Sequence, residues 1–308
     1  MITVEGLTKR FGNTVAIDDL HFSVQPGRVT GFLGPNGSGK STTLRCMVDL
    51  DHPQSGNVTF SGKQYRQIED PIRTIGVLLD ASYVHPGRSA RHHLEWLALS
   101  NHLDRQRVDE VLALVGLTDV AHRRVKTFSL GMKQRLGLAA TMLGDPEVVI
   151  LDEPANGLDP EGIRWMRDML QYLAGQGRAV LVSSHQLSEM ALMAEDLVVI
   201  GRGRLIAHET ATDFIARHTT TRIRVRSPQI DVILRAVREH GGDASTLSVV
   251  ADTDGALVTG MSMIDVGELA HSNGAVVHEL SEVTDSLEDA FLAVTRDDQE
   301  YRLSLIHI

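Results

Sequence analysis

The 308 residues carry 40 acidic and 30 basic side chains, which gives a formal net charge of −10 at pH 7. This balance argues against a nucleic-acid-binding protein, because such a protein neutralises phosphates with basic residues. One cysteine excludes a disulfide framework, and no run approaches the roughly 20 apolar residues that span a bilayer. Without a secretory signal, the sequence predicts a cytoplasmic protein of two domains, at about 150 residues per domain.

The amino-terminal part predicts a group of short strands and a phosphate-binding loop. Residues 1–24 and 56–60 alternate apolar residues with turns, which predicts strands at one edge of the fold. Between them, an apolar strand at 29–33 leads into a glycine-rich segment, and a helical pattern follows to Leu50. The segment reads Gly34-Pro35-Asn36-Gly37-Ser38-Gly39-Lys40-Ser41-Thr42.

A strand, a glycine-rich turn and a helix in this order favour binding of a nucleoside triphosphate. The glycines allow successive N–H groups to face one anion, and the helix adds the positive end of its dipole. We expect Lys40 to reach the outer phosphates and the Ser41 hydroxyl to bind Mg²⁺. The alternative, an ordinary glycine-rich turn, leaves the full pattern unexplained.

The middle of the chain predicts a parallel α/β sheet with a helical insertion. An apolar run at 75–79 is typical of a buried strand, and helical spacing of apolar residues follows at about 82–144. Strands and helices then alternate, at 148–151, 161–174, 179–183, 187–194 and 197–200. Such alternation is typical of βαβ units.

The strand at 148–151 ends in two adjacent carboxylates, Asp152 and Glu153. Ligands of parallel sheets bind at the carboxyl ends of the strands. We expect Asp152 to hold Mg²⁺ through water opposite Ser41, and Glu153 to polarise the water that attacks the γ-phosphate. A solvated acidic turn is the alternative, and the apolar strand that delivers both acids argues against it.

From residue 219 the pattern changes and predicts a small accessory domain, at 219–300, followed by a tail at 301–308. The expected elements are strands at 222–226, 247–251, 256–260 and 275–280 and helices at 230–240, 264–271 and 286–294. The order β-α-β-β-α-β predicts an α+β, ferredoxin-like domain.

Two further motifs lie in the first 218 residues. They read Phe128-Ser129-Leu130-Gly131-Met132-Lys133-Gln134-Arg135 and Ser184-His185. With the phosphate-binding loop and the Asp152-Glu153 pair, they make residues 1–212 resemble the ATP-binding subunits of ABC transporters. The resemblance implies that residues 1–218 form a P-loop NTPase (RecA-like) α/β core with an antiparallel β edge, which binds ATP and Mg²⁺ and hydrolyses the ATP.

The resemblance also implies roles for single residues. Phe11 lies where the family has an aromatic residue that stacks on adenine, although a phenylalanine of the core is the alternative. His185 corresponds to a histidine that contacts the γ-phosphate. Ser129 and Gly131 belong to the signature segment, which closes over the γ-phosphate bound by a second copy, and Asp159 belongs to a loop that reaches the partner's site.

The assembly that the resemblance implies is a homodimer that sandwiches two ATP molecules. It drives a separate transmembrane permease and is peripheral to the inner face of the cell membrane through that partner. The signature segment, an acid at Asp80 and the segment 286–291 resemble ATPases of bacterial drug and antibiotic exporters of the daunorubicin-resistance type. An importer ATPase or a non-transport ATP switch remains the alternative.

Three positions depart from the commonest family pattern. Leu130 and Met132 stand where the signature has glycine and glutamine. Asp80 stands where the family usually has a glutamine that contacts metal or water, and its shorter carboxylate can still accept a metal-bound water. The residue set implied for metal is therefore Ser41, Asp152 and Asp80.

We expect the cysteine and a group of histidines to have structural and not chemical roles. We expect Cys46 to be a small buried hydrophobe and not a reactive thiol. Four histidines lie close together in the sequence without carboxylates at ligand spacing, which favours a solvated helix surface over a metal site. They are His85, His92, His93 and His102.

Overall fold

The computed structural model describes residues 1–80, 84–219, 221–240, 249–252, 255–284 and Phe291. The chain divides into two compact units, one containing Met1–Phe214 and the other Ile215–Ala293. We placed the domain boundary after residue 218, whereas the units divide inside helix α8 (Ala211–His218). This helix begins in the first unit, where the Ala211 N–H donates to the Glu195 carbonyl.

The first unit combines two sheets with helices. Its strands are β1 (Ile2–Phe11), β2 (Thr14–Val24), β3 (Val29–Leu33), β4 (Ser55–Phe60), β5 (Ile75–Leu78), β6 (Val148–Leu151), β7 (Ala179–Ser184), β8 (Asp196–Gly201) and β9 (Arg204–Thr210). Its other helices are α1 (Lys40–Met47), α2 (Pro71–Thr74), α3 (Ala90–Ser100), α4 (Gln106–Leu114), α5 (Leu130–Thr141), α6 (Pro160–Gly175) and α7 (Leu187–Met193). Single 3₁₀ turns lie at Tyr65–Gln67, Thr118–Val120 and Val125–Thr127.

The larger sheet has the strand order β5-β6-β7-β3-β8-β9. Its neighbours from β5 to β8 pair in parallel, which confirms the expected parallel sheet, and β9 adds an antiparallel edge that we did not predict. Every residue of β3, β6 and β7 is buried. Strands of a parallel sheet that is covered on both faces consist of continuous apolar runs, which is why the sequence located them.

The smaller sheet, β2-β1-β4, is antiparallel and forms the expected β edge. The sequence predicted several short strands at 1–24, but the structure has two long ones, β1 and β2. Both run through irregular pairing, with register shifts along their length and Asp19 in the left-handed region at φ 52°. The turn at Gly12-Asn13 does separate β1 from β2, whereas the irregular backbone at Asp19 lies within β2 and does not end it.

Helices α3, α4 and α5 form the insertion between β5 and β6, as expected for about 82–144, although residues 82 and 83 lie outside the described residues. The last of these helices begins at Leu130, directly after Ser129, whose side chain caps it by accepting the Met132 N–H. None of the described helices is both long and apolar enough to cross a membrane.

The second unit contains β10 (Thr221–Arg226), α9 (Ile230–His240), β11 (Val249–Asp252), β12 (Gly255–Val258), α10 (Met263–Ser272) and β13 (Glu279–Thr284). Its antiparallel sheet has the order β11-β12-β10-β13, and apolar residues of both helices and of the sheet form its core. The element order is the β-α-β-β-α-β order expected of a ferredoxin-like domain.

The last strand of the second unit was predicted at 275–280, which is wrong. Residues 273–275 continue to bond to the last turn of α10, since the Ala275 N–H donates to the Ala270 carbonyl and Gly274 has φ 67°. The connection therefore extends to residue 278 before β13 begins. The predicted helix at 286–294, apart from Phe291, and the tail at 301–308 lie outside the described residues.

Candidate active site

The predicted phosphate-binding loop connects β3 to α1. Gly39 has φ 103° and directly precedes the helix, a conformation that favours glycine. At Gly34, a Cβ atom would lie 2.4 Å from Ser38 Oγ and 2.6 Å from the Ile200 carbonyl oxygen. The close approach of the loop to β8 therefore requires a residue without a side chain at position 34.

The amino terminus of α1 is suited to an anion. No side chain caps it and its first turn has no acidic residue, whereas α3, α5 and α6 are capped by Ser89, Ser129 and Asp159. Helix termini attract anions through their unbonded N–H groups and the helix dipole. In the described part of the chain, the buried Ser38 Oγ also has no hydrogen-bond partner. The loop thus fits the phosphates of a nucleotide.

Lys40 is the first residue of α1, and its side chain is only 5% exposed. Its Nζ donates to the Gly34 carbonyl at 2.6 Å and to the Pro35 carbonyl at 3.3 Å, and it lies 3.7 Å from Glu153 Oε1. Burial lowers the pKa of Lys40, while the negative charges of Glu153 and Asp152 oppose this effect. The ammonium group is thus held at the loop by oxygen atoms alone.

Asp152 and Glu153 follow β6, and Ser183 at the end of β7 holds them both. Its hydroxyl donates to Asp152 Oδ1 and accepts the Glu153 N–H at 2.9 Å. Glu153 has φ 46°, in the left-handed region that a side chain rarely adopts. Strain of this kind persists where surrounding contacts impose it, and it directs the Glu153 carboxylate along the edge of the sheet.

The carboxylate of Glu153 meets a second functional side chain there. His185 follows β7, and its Nδ1 lies 3.0 Å from Glu153 Oε2. The same oxygen accepts from Asn156 Nδ2 at 3.3 Å, and the second ring nitrogen of His185 lies 3.4 Å from Gln186 Nε2. The site thus joins the ends of three neighbouring parallel strands, β6, β7 and β3.

Ser183 and Asn156 were not among the residues that we predicted for the site. Ser183 belongs to the Ser183-Ser184-His185 segment, where the motif drew attention to His185 only. Its partner Asp152 is adjacent only because β6 lies next to β7 in the sheet. No local pattern in the sequence gives that neighbour relation.

The signature residues lie in a separate cleft of about 510 Å³. Ser129, Leu130 and Gly131 at the start of α5 line one side. The other side is lined around the start of α6 by Gly157, Leu158, Asp159, Glu161 and Gly162. Ser129 Oγ accepts the Met132 N–H at 3.2 Å, and Asp159 Oδ1 accepts the Gly162 N–H at 2.8 Å. The structure therefore brings Ser129, Gly131 and Asp159 together, apart from the phosphate-binding loop.

The remaining predicted residues are placed as follows. The Phe11 side chain is 50% exposed, which excludes a place in the core, and Lys9 Nζ lies 4.8 Å from its ring centroid. Asp80 is exposed and lies two residues beyond the end of β5, next to the strand that carries Asp152. Asn36, Gly37 and Ser41 are exposed, and Pro35 and Thr42 are half-buried.

Known proteins resemble this chain in sequence and in fold. Residues 17–156 match the family model described as ABC transporter, and residues 221–288 match a domain of unknown function. The ABC transporter ATP-binding protein YhcH of Bacillus subtilis is 37% identical over 306 residues, with 97% of each chain covered. The daunorubicin resistance ATP-binding protein DrrA3 of Streptomyces coeruleorubidus is 33% identical over 315 residues, with 98% of each chain covered.

Further relatives match smaller parts of the chain. The bacitracin transport ATP-binding protein BcrA of Bacillus licheniformis is 38% identical over 209 residues, which are 67% of this chain and 68% of that protein. The structure of cbiO1 from Clostridium perfringens, part of an ABC transporter complex, covers 78% of this chain and 95% of its own, with a TM-score of 0.64 and 25% identity. The chain belongs to the ATP-binding proteins of ABC transporters, whose hydrolysis of ATP is coupled to transport.

Proposed function

We propose that this chain is the ATP-hydrolysing subunit of an exporter that removes a drug or antibiotic through a separate membrane permease. The observation that carries the proposal is the Glu153 carboxylate, which lies at the carboxyl edge of the parallel sheet between Lys40 Nζ at 3.7 Å and His185 Nδ1 at 3.0 Å. Relatives that match over most of their length are named for daunorubicin resistance and bacitracin transport, which supports the drug-export branch.

Each part of the site then has a role in holding and cleaving ATP. The loop from Gly34 to Thr42 binds the phosphates through its N–H groups and Lys40, and Phe11 stacks on the adenine. Ser41, Asp152 and Asp80 would hold Mg²⁺, which supplies charge neutralisation at the phosphates when it is bound. Glu153 accepts a proton from the attacking water, and His185 orients that carboxylate and contacts the γ-phosphate.

The signature cleft supports a head-to-tail homodimer. The α5 terminus and Ser129 lie apart from the phosphate-binding loop of the same chain, so a phosphate that meets them has to be bound by another copy. The ATP-binding cassette MJ0796, which shares the fold at 23% identity and a TM-score of 0.62, is described as dimeric in a post-hydrolysis state with ADP and Pi. We place Asp159 at the same dimer surface, and the dimer at the inner face of the cell membrane, held there by the permease.

We assign residues 1–218 to ATP binding and residues 219–300 to an accessory domain. An importer ATPase or a non-transport switch would use the same catalytic groups. The experiment therefore has to show whether a substrate is transported and in which direction. The chain is reconstituted in inside-out vesicles with the membrane protein encoded next to it. ATP-dependent accumulation of a labelled antibiotic inside the vesicles, absent with E153Q, supports export, whereas ATP-dependent release overturns it. If the neighbouring reading frame encodes no permease and the chain still hydrolyses ATP, the result would favour the non-transport switch.

A further inference from the structure

The signature cleft contains two reciprocal leucine–glycine contacts between the start of α5 and the loop that leads into α6. A Cβ atom on Gly157 would lie 2.5 Å from Leu130 Cδ2, and one on Gly131 would lie 3.5 Å from Leu158 Cδ2. Each leucine thus lies over the glycine of the opposite segment. The first contact depends on Leu130, one of the two residues that depart from the commonest signature.

Leu130 is unusual for an exposed position. Its side chain is 50% exposed although leucine gains free energy from burial, and its Cδ2 atom occupies the space beside Gly157. Gly157 has φ 72°, so a side chain at this position would be strained even without Leu130. The bulky Leu130 side chain at the start of α5 therefore packs where Gly157, in the loop before α6, has no side chain.

The loop that Leu130 covers also carries the catalytic carboxylate. Between Glu153 and Asp159, the Asn156 N–H donates to the Glu153 carbonyl at 3.1 Å, and the Leu158 N–H donates to the Ala155 carbonyl at 3.1 Å. The Asn156 side chain bonds to Glu153 Oε2. Two overlapping hydrogen-bonded turns thus connect Glu153 to the segment that contains Gly157.

We propose that Leu130 is a positioning residue, which transmits the occupancy of the signature cleft by the partner's nucleotide to Glu153 of its own chain through the Leu130–Gly157 contact. This inference rests on the proposed function, since it requires the dimer. Displacement of α5 by a phosphate bound at Ser129 would move Leu130, and through Gly157 and Asn156 it would shift the Glu153 carboxylate. Coupling between two sites requires such a physical contact whose position both sites affect.

The test compares L130A with L99A, which removes a leucine of α3 that is 67% exposed and lies outside the cleft. We expect L130A to lower kcat for ATP about tenfold, as contacts that couple neighbouring groups commonly do, with unchanged ATP affinity of the monomer. L99A should match the wild type, and the melting temperatures of both variants should lie close to it. A wild-type kcat in L130A overturns the inference, and so does a loss of ATP affinity equal to the loss of kcat.

A double variant separates coupling from damage to the fold. G157A places a methyl group against Leu130 and is expected to lower kcat further than L130A, while L130A/G157A should be at least as active as G157A alone, because the collision is removed. Losses that add independently in the double variant would overturn the inference. ATP-dependent dimerisation of E153Q is measured beside these variants. A dimer in E153Q with a wild-type kcat in L130A rejects the coupling alone, whereas no dimer in E153Q rejects the proposed function and the coupling together.

Discussion

His185 Nδ1 lies 3.0 Å from Glu153 Oε2, so that side chains from the ends of two neighbouring strands share one hydrogen bond. Glu153 reaches this position through a left-handed backbone at φ 46°, which the Ser183 hydroxyl stabilises by accepting its N–H. The geometry directs one carboxylate oxygen to the histidine and the other towards Lys40. A carboxylate held in this way fits the proposed role of orienting a water molecule once phosphate is bound in the loop.

Replacement of Glu153 by glutamine should abolish turnover and leave ATP binding intact. The amide keeps the shape of the side chain but cannot accept a proton, and general base catalysis contributes about 100-fold or more to the rate. We expect E153Q to bind ATP and to accumulate as a closed dimer, measured by phosphate release and by light scattering after gel filtration. E147Q, which changes an exposed glutamate just before β6, is the matched control. Hydrolysis by E153Q at the wild-type rate would refute the assignment of the base.

Replacement of Lys40 by alanine should abolish ATP binding or turnover. The ammonium group is buried, and its present partners are two loop carbonyls and Glu153, so the variant loses the one cation that lies within the loop. Nucleotide affinity, measured with a fluorescent ATP analogue, should fall about tenfold or more because charge-assisted bonds to phosphate are lost. K63A, which removes an exposed lysine, should bind as the wild type does. Equal affinity and equal turnover in K40A would remove Lys40 from the site.

The strands that carry the site could be predicted from the sequence, but the order in which they lie side by side in the sheet could not. Strands β3 and β6 have the predicted bounds, because buried parallel strands are continuous apolar runs between turn residues. The bonds of Ser183 to Asp152 and Glu153 follow from the order β6-β7-β3, which no local pattern reveals. The signature motif predicted Ser129 and Gly131 together, whereas the contact of Leu130 with Gly157 depends on the packing of α5 against a distant loop.

The prediction for His93 was wrong, although the spacing of apolar residues in α3 could have corrected it. We placed His93 on a solvated surface with its histidine neighbours, but it is only 9% exposed. Ala90, Leu94 and Ala98 form the buried face of α3, and His93 lies three residues after Ala90 on that same face. The spacing therefore indicated burial, and the polar identity of the residue concealed it.

Cys46 should be unreactive in the folded protein. Its side chain is 6% exposed, and burial, with a smaller effect of Asp51, raises the pKa of its thiol to about 11. At pH 8 only about one part in a thousand is then thiolate, the form that reacts with disulfide reagents. Labelling with Ellman's reagent should be slow in the native protein and fast in denaturing urea, with C46A as the blank. Rapid native labelling would show that the α1 helix opens to solvent.

His93 should make the folded protein less stable as the pH falls below 6.5. Burial lowers the pKa of its imidazole to about 4, and the nearby Arg88 guanidinium adds to this effect. Among the described residues, its Nδ1 has no hydrogen-bond partner that would stabilise the charged form. Above about pH 7.5, one unit over the ordinary pKa of histidine, the ring is almost entirely neutral in both states, so this residue contributes almost no pH dependence there.

Between pH 6.5 and 4 the His93 imidazole is protonated in the unfolded chain but mostly neutral in the folded chain. The free energy of unfolding should therefore decrease by roughly 2–3 kcal/mol across this range. Below about pH 4 both states bind the proton and the decrease stops. Urea unfolding at several pH values should show this loss in the wild type and in H92Q, which changes the exposed neighbour, but not in H93Q. The same pH dependence in H93Q and the wild type would mean that His93 is protonated in the folded state. Because the wild type and H93Q differ in this one titratable side chain, the difference between their pH dependences isolates its titration, and H92Q shows whether loss of a neighbouring histidine has the same effect.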